Sequence, residues 1–309
     1  MRPRGPGTRR GYGAVAGYFV WAVLPFAAAG GEPSLRDAGL RIGVSASITG
    51  EMNASDAGVA LRAWAEEVAR QTGLRFEPEL CTYEQLLLKI RNHQVDAFSV
   101  NIIEFARVAA YASRELVVDE SQLPDGEDYV LLVHQASGIQ KLADLHGRSL
   151  LLYKNTRTCL DTIWLDTLLA SAHLGAADSF LGRLERSPKL SRVVLPVFFR
   201  QADACVVARQ GFNTMCELNP QLARQLRPLA VSPKLLTTFM AFHRDCPLET
   251  RRRFLAAVSD LHKTVAGRQV LTLFGGTHLV EADTSVLRTS LELLHSYERL
   301  RTKAPAAGQ

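Results

Sequence analysis

Hydroxyl and amide side chains lie in two loops of the chain, each between a short apolar run and a helical pattern. The first of these units spans residues 40–72, and the second spans residues 149–174. A helix start presents unpaired N–H groups and a partial positive charge, both of which favour a bound anion. Two such units facing each other predict a clamp for a small polar molecule. The pattern therefore indicates binding rather than catalysis.

Each loop contains several candidate ligand-binding residues. In the first loop, we expect at least one of Ser47, Thr49 and Asn53 to contact the ligand. In the second loop, Thr156 and Thr158 either bind the ligand or cap the helix that follows. The residue types alone leave both roles open.

Four further candidates lie near the predicted ends of strands or starts of helices. Asn101 either donates its amide to the ligand or caps a helix that starts at residue 102. Tyr83 either stacks on the ligand and donates a hydrogen bond, or covers the edge of the core. Arg157 and Arg209 are each suited to a bidentate contact with a phosphonate or a carboxylate, with a solvated arginine as the ordinary alternative.

Hydrophobic periodicity predicts strands alternating with helices in both halves of the chain. In the first half, the strands are predicted at 40–44, 74–80 and 95–100, with one helix ending before Gly73 and others at 83–91 and 102–112. In the second half, strands are predicted at 129–134, 149–153, 192–197, 204–208 and 235–242, and helices at 159–173 and over 248–297 with a break at 275–276. This alternation favours parallel strands joined by right-handed crossovers.

The predicted fold class is α/β, with two lobes that are each a mostly parallel sheet flanked by helices. The first lobe is expected to comprise residues 36–133 and 237–300, the second lobe residues 134–236, and the last residues, 301–309, a disordered tail. Such sheets bind ligands beyond the carboxyl ends of their strands. We therefore expect a ligand cleft between the lobes.

Residues 1–29 have the layout of an export signal peptide. A basic segment up to Arg10 is followed by an apolar run at 12–26 and by small residues, so cleavage is expected after Ala29. The adjacent Arg9 and Arg10 leave a twin-arginine route open, and an uncleaved leader would anchor the protein in a membrane. Either route predicts a location outside the cytoplasm.

The charge of the chain argues against a nucleic-acid partner. The formal net charge is +5, but four of the basic residues lie in the leader: Arg2, Arg4, Arg9 and Arg10. Without them the chain is close to neutral and has no long basic stripe. We expect a monomer that binds a small molecule.

Cysteines and histidines are scattered singly along the chain. The five cysteines form no C-x-x-C pair and the eight histidines do not cluster, so we expect no metal site. Cys205 and Cys216 are close enough in sequence for a disulfide.

No nucleophile elbow, P-loop, H-E-x-x-H or dinucleotide motif is present, so we expect neither an enzyme nor a cofactor. An enzyme remains an alternative through Cys159, because a thiol at a helix start can have a low pKa.

Several segments of the chain resemble one protein family. They are LRIGV at 40–44, LLLKIRNHQVDAFSVN at 86–101, LADLHGRSLLL at 142–152 and QADACVVARQGFNTMCELNP at 201–220. With them the chain resembles the periplasmic phosphate-, phosphite- and phosphonate-binding proteins of ABC transporters. Two stretches depart from the family pattern: residues 101–104 replace a Gly-Pro and a hydroxyl residue, and residues 155–158 replace Ser-Thr-Ser-Gly.

The resemblance implies a type 2 periplasmic-binding-protein fold and a periplasmic location. It also implies an ABC permease as partner and a phosphate- or phosphonate-like ligand held by Asn155, Thr156, Arg157 and Thr158. The identity of the oxyanion stays open. A sensory subunit that presents its ligand to a membrane receptor or kinase is the alternative function on the same fold.

Overall fold

The computed structural model describes residues 39–49, 52–123, 126–154, 159–273 and 276–303. The expected signal peptide at 1–29 lies outside these residues, as do the predicted binding loop at 155–158 and residues 304–309 of the expected tail. Among the described helices, none combines the length and apolar character needed to cross a membrane.

The described residues form strands and helices that alternate along most of the chain. The strands are β1 Leu40–Ser45, β2 Phe76–Cys81, β3 Ala97–Asn101, β4 Ala112–Asp119, β5 Tyr129–His134, β6 Ser149–Tyr153, β7 Arg183–Ser187, β8 Ala204–Ala208, β9 Leu226–Val231, β10 Thr238–His243 and β11 Leu279–Asp283. The α-helices are α1 Ala54–Thr72, α2 Tyr83–Arg91, α3 Ile102–Ala106, α4 Asp161–Ser171, α5 Ala177–Phe180, α6 Ser191–Phe198, α7 Arg209–Leu218, α8 Pro220–Gln225, α9 Leu248–Ser259, α10 Val265–Leu273 and α11 Arg288–Lys303. Short 3-10 helices lie at Ala46–Ile48, Ala109–Tyr111, Glu120–Gln122, Gln135–Ser137, Leu142–Leu145, Leu261–Lys263 and Thr284–Leu287.

These strands form two mixed sheets. The first has the order β11-β4-β10-β3-β1-β2, and the second has the order β7-β6-β8-β5-β9. In the first sheet β1 pairs in parallel with β2 and β3, and in the second β6 pairs in parallel with β7 and β8. An antiparallel strand follows in each sheet, β10 beside β3 and β5 beside β8. The two-lobed α/β fold is confirmed, although its sheets are mixed and not mostly parallel.

Two aspartates perform the same task in the two sheets. The Asp96 carboxylate, just before β3, accepts hydrogen bonds from the backbone N–H of Arg41 at 2.9 Å and from its guanidinium at 2.7 and 3.0 Å. The Asp203 carboxylate, just before β8, accepts from the backbone N–H of Ser149 at 2.9 Å and from its Oγ at 2.7 Å. Each carboxylate thus pins the start of the neighbouring parallel strand, which confirms the structural duplication.

The sequence prediction differs from the structure mainly at sheet edges and in one helix. Residues 192–197 lie in helix α6 and not in a strand, because Val193, Val194 and Val197 are all buried on one helical face. The predicted helix at 102–112 ends at Ala106, and β4, β7, β9 and β11 were not predicted. Of these, β7, β9 and β11 are edge strands, whose partial exposure weakens the alternation that identifies a strand.

Two of the expected lobe boundaries also differ from the observed elements. The strand β5, whose first residues were assigned to the first lobe, hydrogen-bonds within the second sheet. Helix α11 continues through residues 301–303, which were expected to belong to the tail. The remaining boundaries stay predictions.

The two lobes are joined by a shared hydrophobic core and by paired backbone. One cluster of buried side chains includes Phe98 from the first sheet and Leu150 from the second. The crossing segments are paired by an antiparallel bridge between Glu127 and Leu235. Helix α11 is tied to the same crossing by a 2.9 Å hydrogen bond from Ser290 Oγ to the Leu236 carbonyl. These contacts fix the position of the edge at which the strands of both lobes end.

Candidate ligand-binding site

A hydrogen-bonded polar cluster lies at the carboxyl ends of β1 and β3. Asn101 Nδ2 donates to Ser47 Oγ at 3.0 Å, and Ser45 Oγ donates to Glu104 Oε1 at 2.9 Å. Ser45, Asn101 and Glu104 are buried, whereas Ser47 is half-buried. The strands β1 and β3 are parallel neighbours, so residues that follow them meet at one edge of the sheet.

Asn101 caps helix α3, which is one of the two roles predicted for it. Its Oδ1 accepts from the Glu104 N–H at 2.9 Å, and Glu104 Oε2 accepts from the Asn101 N–H at 3.3 Å. This reciprocal pair is a capping box, and it holds the Asn101 amide at the sheet edge. Its contact with a ligand stays a prediction. The N-x-x-E spacing of 101–104 is a sequence signal that would have identified Glu104.

The structure brings Tyr83 beside this cluster and places Thr49 in the adjoining loop. The Tyr83 hydroxyl donates to the Glu104 carbonyl at 3.5 Å, and burial raises the pKa of Tyr83. Thr49 is buried, and its Oγ1 donates to the Ala46 carbonyl at 2.9 Å. Thr49 therefore stabilises the turn after β1. Asn53, the other amide of this loop, caps helix α1 by accepting from the Asp56 N–H at 2.9 Å.

In the second lobe, the predicted residues Asn155, Thr156, Arg157 and Thr158 lie outside the described part of the chain. The residues that follow them are Cys159 and, in the first turn of α4, Asp161. Burial raises the pKa of Asp161 to about 6, even though its Oδ1 accepts from the Thr162 N–H at 2.6 Å. This carboxyl group was not predicted as part of the site, because its burial depends on tertiary packing.

The surroundings of Cys159 argue against the alternative of a reactive thiol at this position. Burial raises its pKa to about 12, with the negative charge of Asp161 acting in the same direction. The charge of Glu104 also raises this pKa, so the first lobe lies close enough to Cys159 to act on it electrostatically. A thiol in this environment stays protonated and is a poor nucleophile.

Arg209 lies at the carboxyl end of β8, as predicted, and begins helix α7. Its Nε donates to Asp128 Oδ2 at 2.6 Å, and its backbone N–H donates to the Asp128 carbonyl at 2.9 Å. The ion pair is partly shielded, because 37% of the Arg209 side chain and 14% of the Asp128 side chain are exposed. Arg209 is therefore paired, and not simply solvated.

Cys205 and Cys216, which are close enough in sequence for a disulfide, are both free thiols in the structure.

Two helices of the second lobe start at this edge without a side-chain cap. Among the described residues, the N-cap residues of α4 and α7, Leu160 and Ala208, have no side chain that accepts a hydrogen bond from the helix N–H groups. In the first lobe, by contrast, Asn53, Thr82 and Asn101 cap α1, α2 and α3. Because β6 and β8 are parallel neighbours, the helices that follow them, α4 and α7, both begin at the carboxyl edge of the second sheet. The Thr162 N–H already donates to Asp161 Oδ1 and the Arg209 N–H to the Asp128 carbonyl. The other N–H groups of these first turns are suited to binding an anion.

A cavity in the first lobe is a different feature. It measures about 160 Å³, and its walls, which include Val44, Trp64 and Met240, are mainly apolar. The Asp119 carboxylate in its wall already accepts from the Thr277 N–H at 2.6 Å. An apolar wall does not suit an oxyanion, so we place the candidate site at the strand ends.

Comparison with known proteins identifies the family of the chain. The sequence model of one family, described as the periplasmic substrate-binding protein of the phosphonate ABC transporter, matches residues 51–287. The match covers most of the chain. The chain belongs to this family. Members are substrate-binding proteins, not enzymes, that work outside the cytoplasm with an ABC permease, so this chain is a binding protein for an ABC importer.

Solved structures with the same fold include several binding proteins. A binding component of an ABC phosphonate transporter from Pseudomonas aeruginosa is 15% identical with a TM-score of 0.57, over 87% of this chain and 90% of that chain. PhnD1 from Prochlorococcus marinus, in complex with methylphosphonate, is 12% identical with a TM-score of 0.57, over 84% and 98%. A Xanthomonas citri protein bound to ATP is 16% identical with a TM-score of 0.57, over 86% and 98%.

At these identities the structural likeness shows the fold alone. It confirms the two-lobed periplasmic-binding-protein architecture predicted for this phosphonate-family protein. No curated protein sequence matches the chain.

Proposed function

We propose that this protein captures a small phosphonate, or a closely related oxyanion, between its two sheets and delivers it to an ABC permease. It acts outside the cytoplasm, as a monomer and without catalysis. The observation that carries the proposal is the pair of helix starts, α4 and α7, that have no capping side chain at the N-cap residue and follow adjacent strands of the second sheet. Such starts stabilise an anion through N–H groups and the helix dipole.

The first lobe supplies polar side chains to the opposite side of the ligand. Ser47, Tyr83 and Asn101 offer hydroxyl and amide groups that both donate and accept hydrogen bonds. The predicted loop residues Thr156 and Thr158 would add donors on the second lobe, next to the start of α4. Together these groups surround an oxyanion with donors and do not require a full counter-charge.

Carboxylates at the same edge favour ligands that also donate a proton. An ionised carboxylate only accepts hydrogen bonds, and it repels an anion that has no donor of its own. Asp161 lies in the first turn of α4, and Glu104 lies in the first turn of α3. We therefore propose that the ligand carries a P–O–H or ammonium group, which excludes sulfonates and fully ionised phosphate as preferred ligands.

Isothermal titration of the secreted protein tests this function. The panel comprises methylphosphonate, 2-aminoethylphosphonate, phosphite, phosphate and methanesulfonate. We expect saturable binding of at least one phosphonate and none of methanesulfonate. Replacing Asn101 by Ala is expected to weaken binding by about tenfold or more, because a hydrogen bond to a charged group is lost.

A second capping asparagine provides the control. Asn219 caps helix α8 by accepting from the Gln221 N–H at 3.2 Å, and it lies at the far end of α7 from the site. Asn219→Ala removes a helix cap in the same way but should leave the phosphonate affinity unchanged. Equal losses in Asn101→Ala and Asn219→Ala, or no binding across the panel, would count against the proposed site.

A further inference from the structure

Two histidines and an aspartate that are far apart in sequence meet at the opposite edge of the first sheet. His93 follows helix α2, His243 ends strand β10, and Asp245 lies in the next turn. His93 Nδ1 is 2.9 Å and His243 Nδ1 is 3.7 Å from Asp245 Oδ2, and the three possible ligand atoms lie within 4.8 Å of one another. We propose that these three residues bind a divalent transition-metal ion, with Zn²⁺ as the preferred ion.

The buried histidine presents a lone pair toward the cluster. His243 Nδ1 accepts a hydrogen bond from the Asp245 N–H at 3.3 Å, so this nitrogen is the unprotonated one. Its other nitrogen, Nε2, is buried and has no hydrogen-bond partner among the described residues. Because only 3% of the side chain is exposed, packing holds the ring in place. The fixed ring is a preorganised ligand, and the two exposed side chains, His93 and Asp245, can adjust around it.

The other two ligands leave the site accessible. The side chains of His93 and Asp245 are 55% and 56% exposed, so an ion can enter from solvent and a water molecule can complete its coordination. His93 adopts a left-handed conformation with φ of 54° directly after the C-cap of α2, where the partial negative charge of the helix end favours a cation. Small side-chain movements would bring all three atoms to bonding distance.

One positive charge lies beside the cluster. Arg244 Nε is 3.9 Å from Asp245 Oδ1, and its guanidinium lies over the Tyr111 ring at 5.8 Å. Arg244 is therefore closest to Oδ1 of Asp245, whereas both histidines are closest to Oδ2, the oxygen proposed to bind the metal. The two nitrogens and one oxygen suit Zn²⁺, Ni²⁺ or Cu²⁺ rather than Mg²⁺ or Ca²⁺.

This site is separate from the ligand cleft. Strand β10 runs antiparallel to β3, so Thr238 pairs with Asn101 at the cleft edge and Phe242 pairs with Ala97 at the other edge. The length of β3 separates the two edges by about 15 Å. Metal binding can therefore fail or succeed independently of phosphonate binding.

The test is a zinc titration of the untagged full chain after removal of metal with a chelator. We expect one high-affinity Zn²⁺ ion per chain, no comparable binding of Mg²⁺, and a rise in melting temperature with zinc. His93→Ala and Asp245→Asn should each weaken zinc binding by tenfold or more, about 1.4 kcal/mol, and should abolish the rise. Both residues are exposed, so these variants should fold.

His278→Ala is the matched control. His262 and His278 also form a close pair, with ring centroids 3.9 Å apart. Their Nδ1 atoms already contact the Ser259 carbonyl and Glu120 Oε2, each at 2.8 Å. The control variant should bind zinc as the wild type does. The proposal is overturned by the absence of a stoichiometric zinc site, by unchanged affinity in His93→Ala and Asp245→Asn, or by an equal loss in His278→Ala.

Discussion

Replacing Asp161 by Asn should stabilise the protein at neutral pH and leave it unchanged in acid. Burial raises the pKa of Asp161 from 3.8 to about 6, because the charged form is poorly solvated in the first turn of α4. The carboxyl group is neutral in the folded protein below this pKa, and ionising it costs free energy. Asn has nearly the same shape, and its Oδ1 can still accept from the Thr162 N–H.

The pKa shift of Asp161 determines how much stability the variant should gain. A shift from 3.8 to about 6 is roughly two units, and each unit corresponds to about 1.4 kcal/mol. The folded pKa lies above the unfolded one, so the penalty is absent below pH 3.8, develops between the two values and is complete above pH 6. Because Asp161 is only partly shielded from solvent, we expect a gain of about 2 kcal/mol for Asp161→Asn at pH 7.5.

Thermal unfolding of the wild type and the variant from pH 4 to pH 8 measures this gain. The two melting temperatures should coincide near pH 4 and diverge by about 4 °C at pH 7.5. Asp178→Asn is the control, because Asp178 is exposed in the first turn of α5 and the substitution removes the same charge. It should produce no comparable divergence.

Two outcomes would refute the reasoning. A variant that is less stable than the wild type at pH 7.5 would mean that the Asp161 charge has a stabilising partner and is not penalised by burial. A gain that is equally large at pH 4 would mean that the change acts through packing and not through ionisation.

Three further predictions concern stability measured by urea denaturation. The hydrogen bond from Arg70 lowers the pKa of Glu67 from 4.5 to about 2. Glu67→Gln should therefore lower the free energy of unfolding by about 1 to 2 kcal/mol above pH 4.5 and leave it nearly unchanged near pH 2. A loss of the same size at both pH values would contradict this. Gly182→Ala should cost about 1 to 3 kcal/mol, since its Cβ would overlap the Gly147 carbonyl. Gly58 lies inside α1 with space around it, so Gly58→Ala should instead raise the free energy of unfolding by about 0.5 to 1 kcal/mol. Both predictions would be wrong if Gly182→Ala were the more stable of the two variants.

Much of the fold could be predicted because its signals are local. The helix predicted at 83–91 is the helix observed, Tyr83–Arg91, since Thr82 and Gln85 form its capping box within four residues. Gly73 ends α1 in a left-handed conformation, as the pattern predicted. Asp96 and Asp203 stand at matching places because each unit repeats the same strand-to-strand contact.

Such local signals do not predict which distant strands pair with each other. Apolar runs at 129–134 and 235–242 predicted strands, but nothing local to β5 or β10 specifies that each inserts antiparallel beside β8 or β3. Edge strands such as β7 and β11 present mixed faces, so their sequences resemble loops or helices. The choice of neighbours depends on how the completed lobes pack.

The chain's own sequence thus determined the duplicated units, the bounds of helices such as α2 and the family, because periodicity, caps and matching segments are formed by consecutive residues. Only the tertiary structure decided the state of individual groups. It paired Arg209 with Asp128, buried Asp161 and raised the pKa of Cys159. It also brought His93 to His243, two of the histidines that stand singly in the sequence. Burial, and the approach of residues from distant segments, are properties of the folded chain, so no local pattern encodes them.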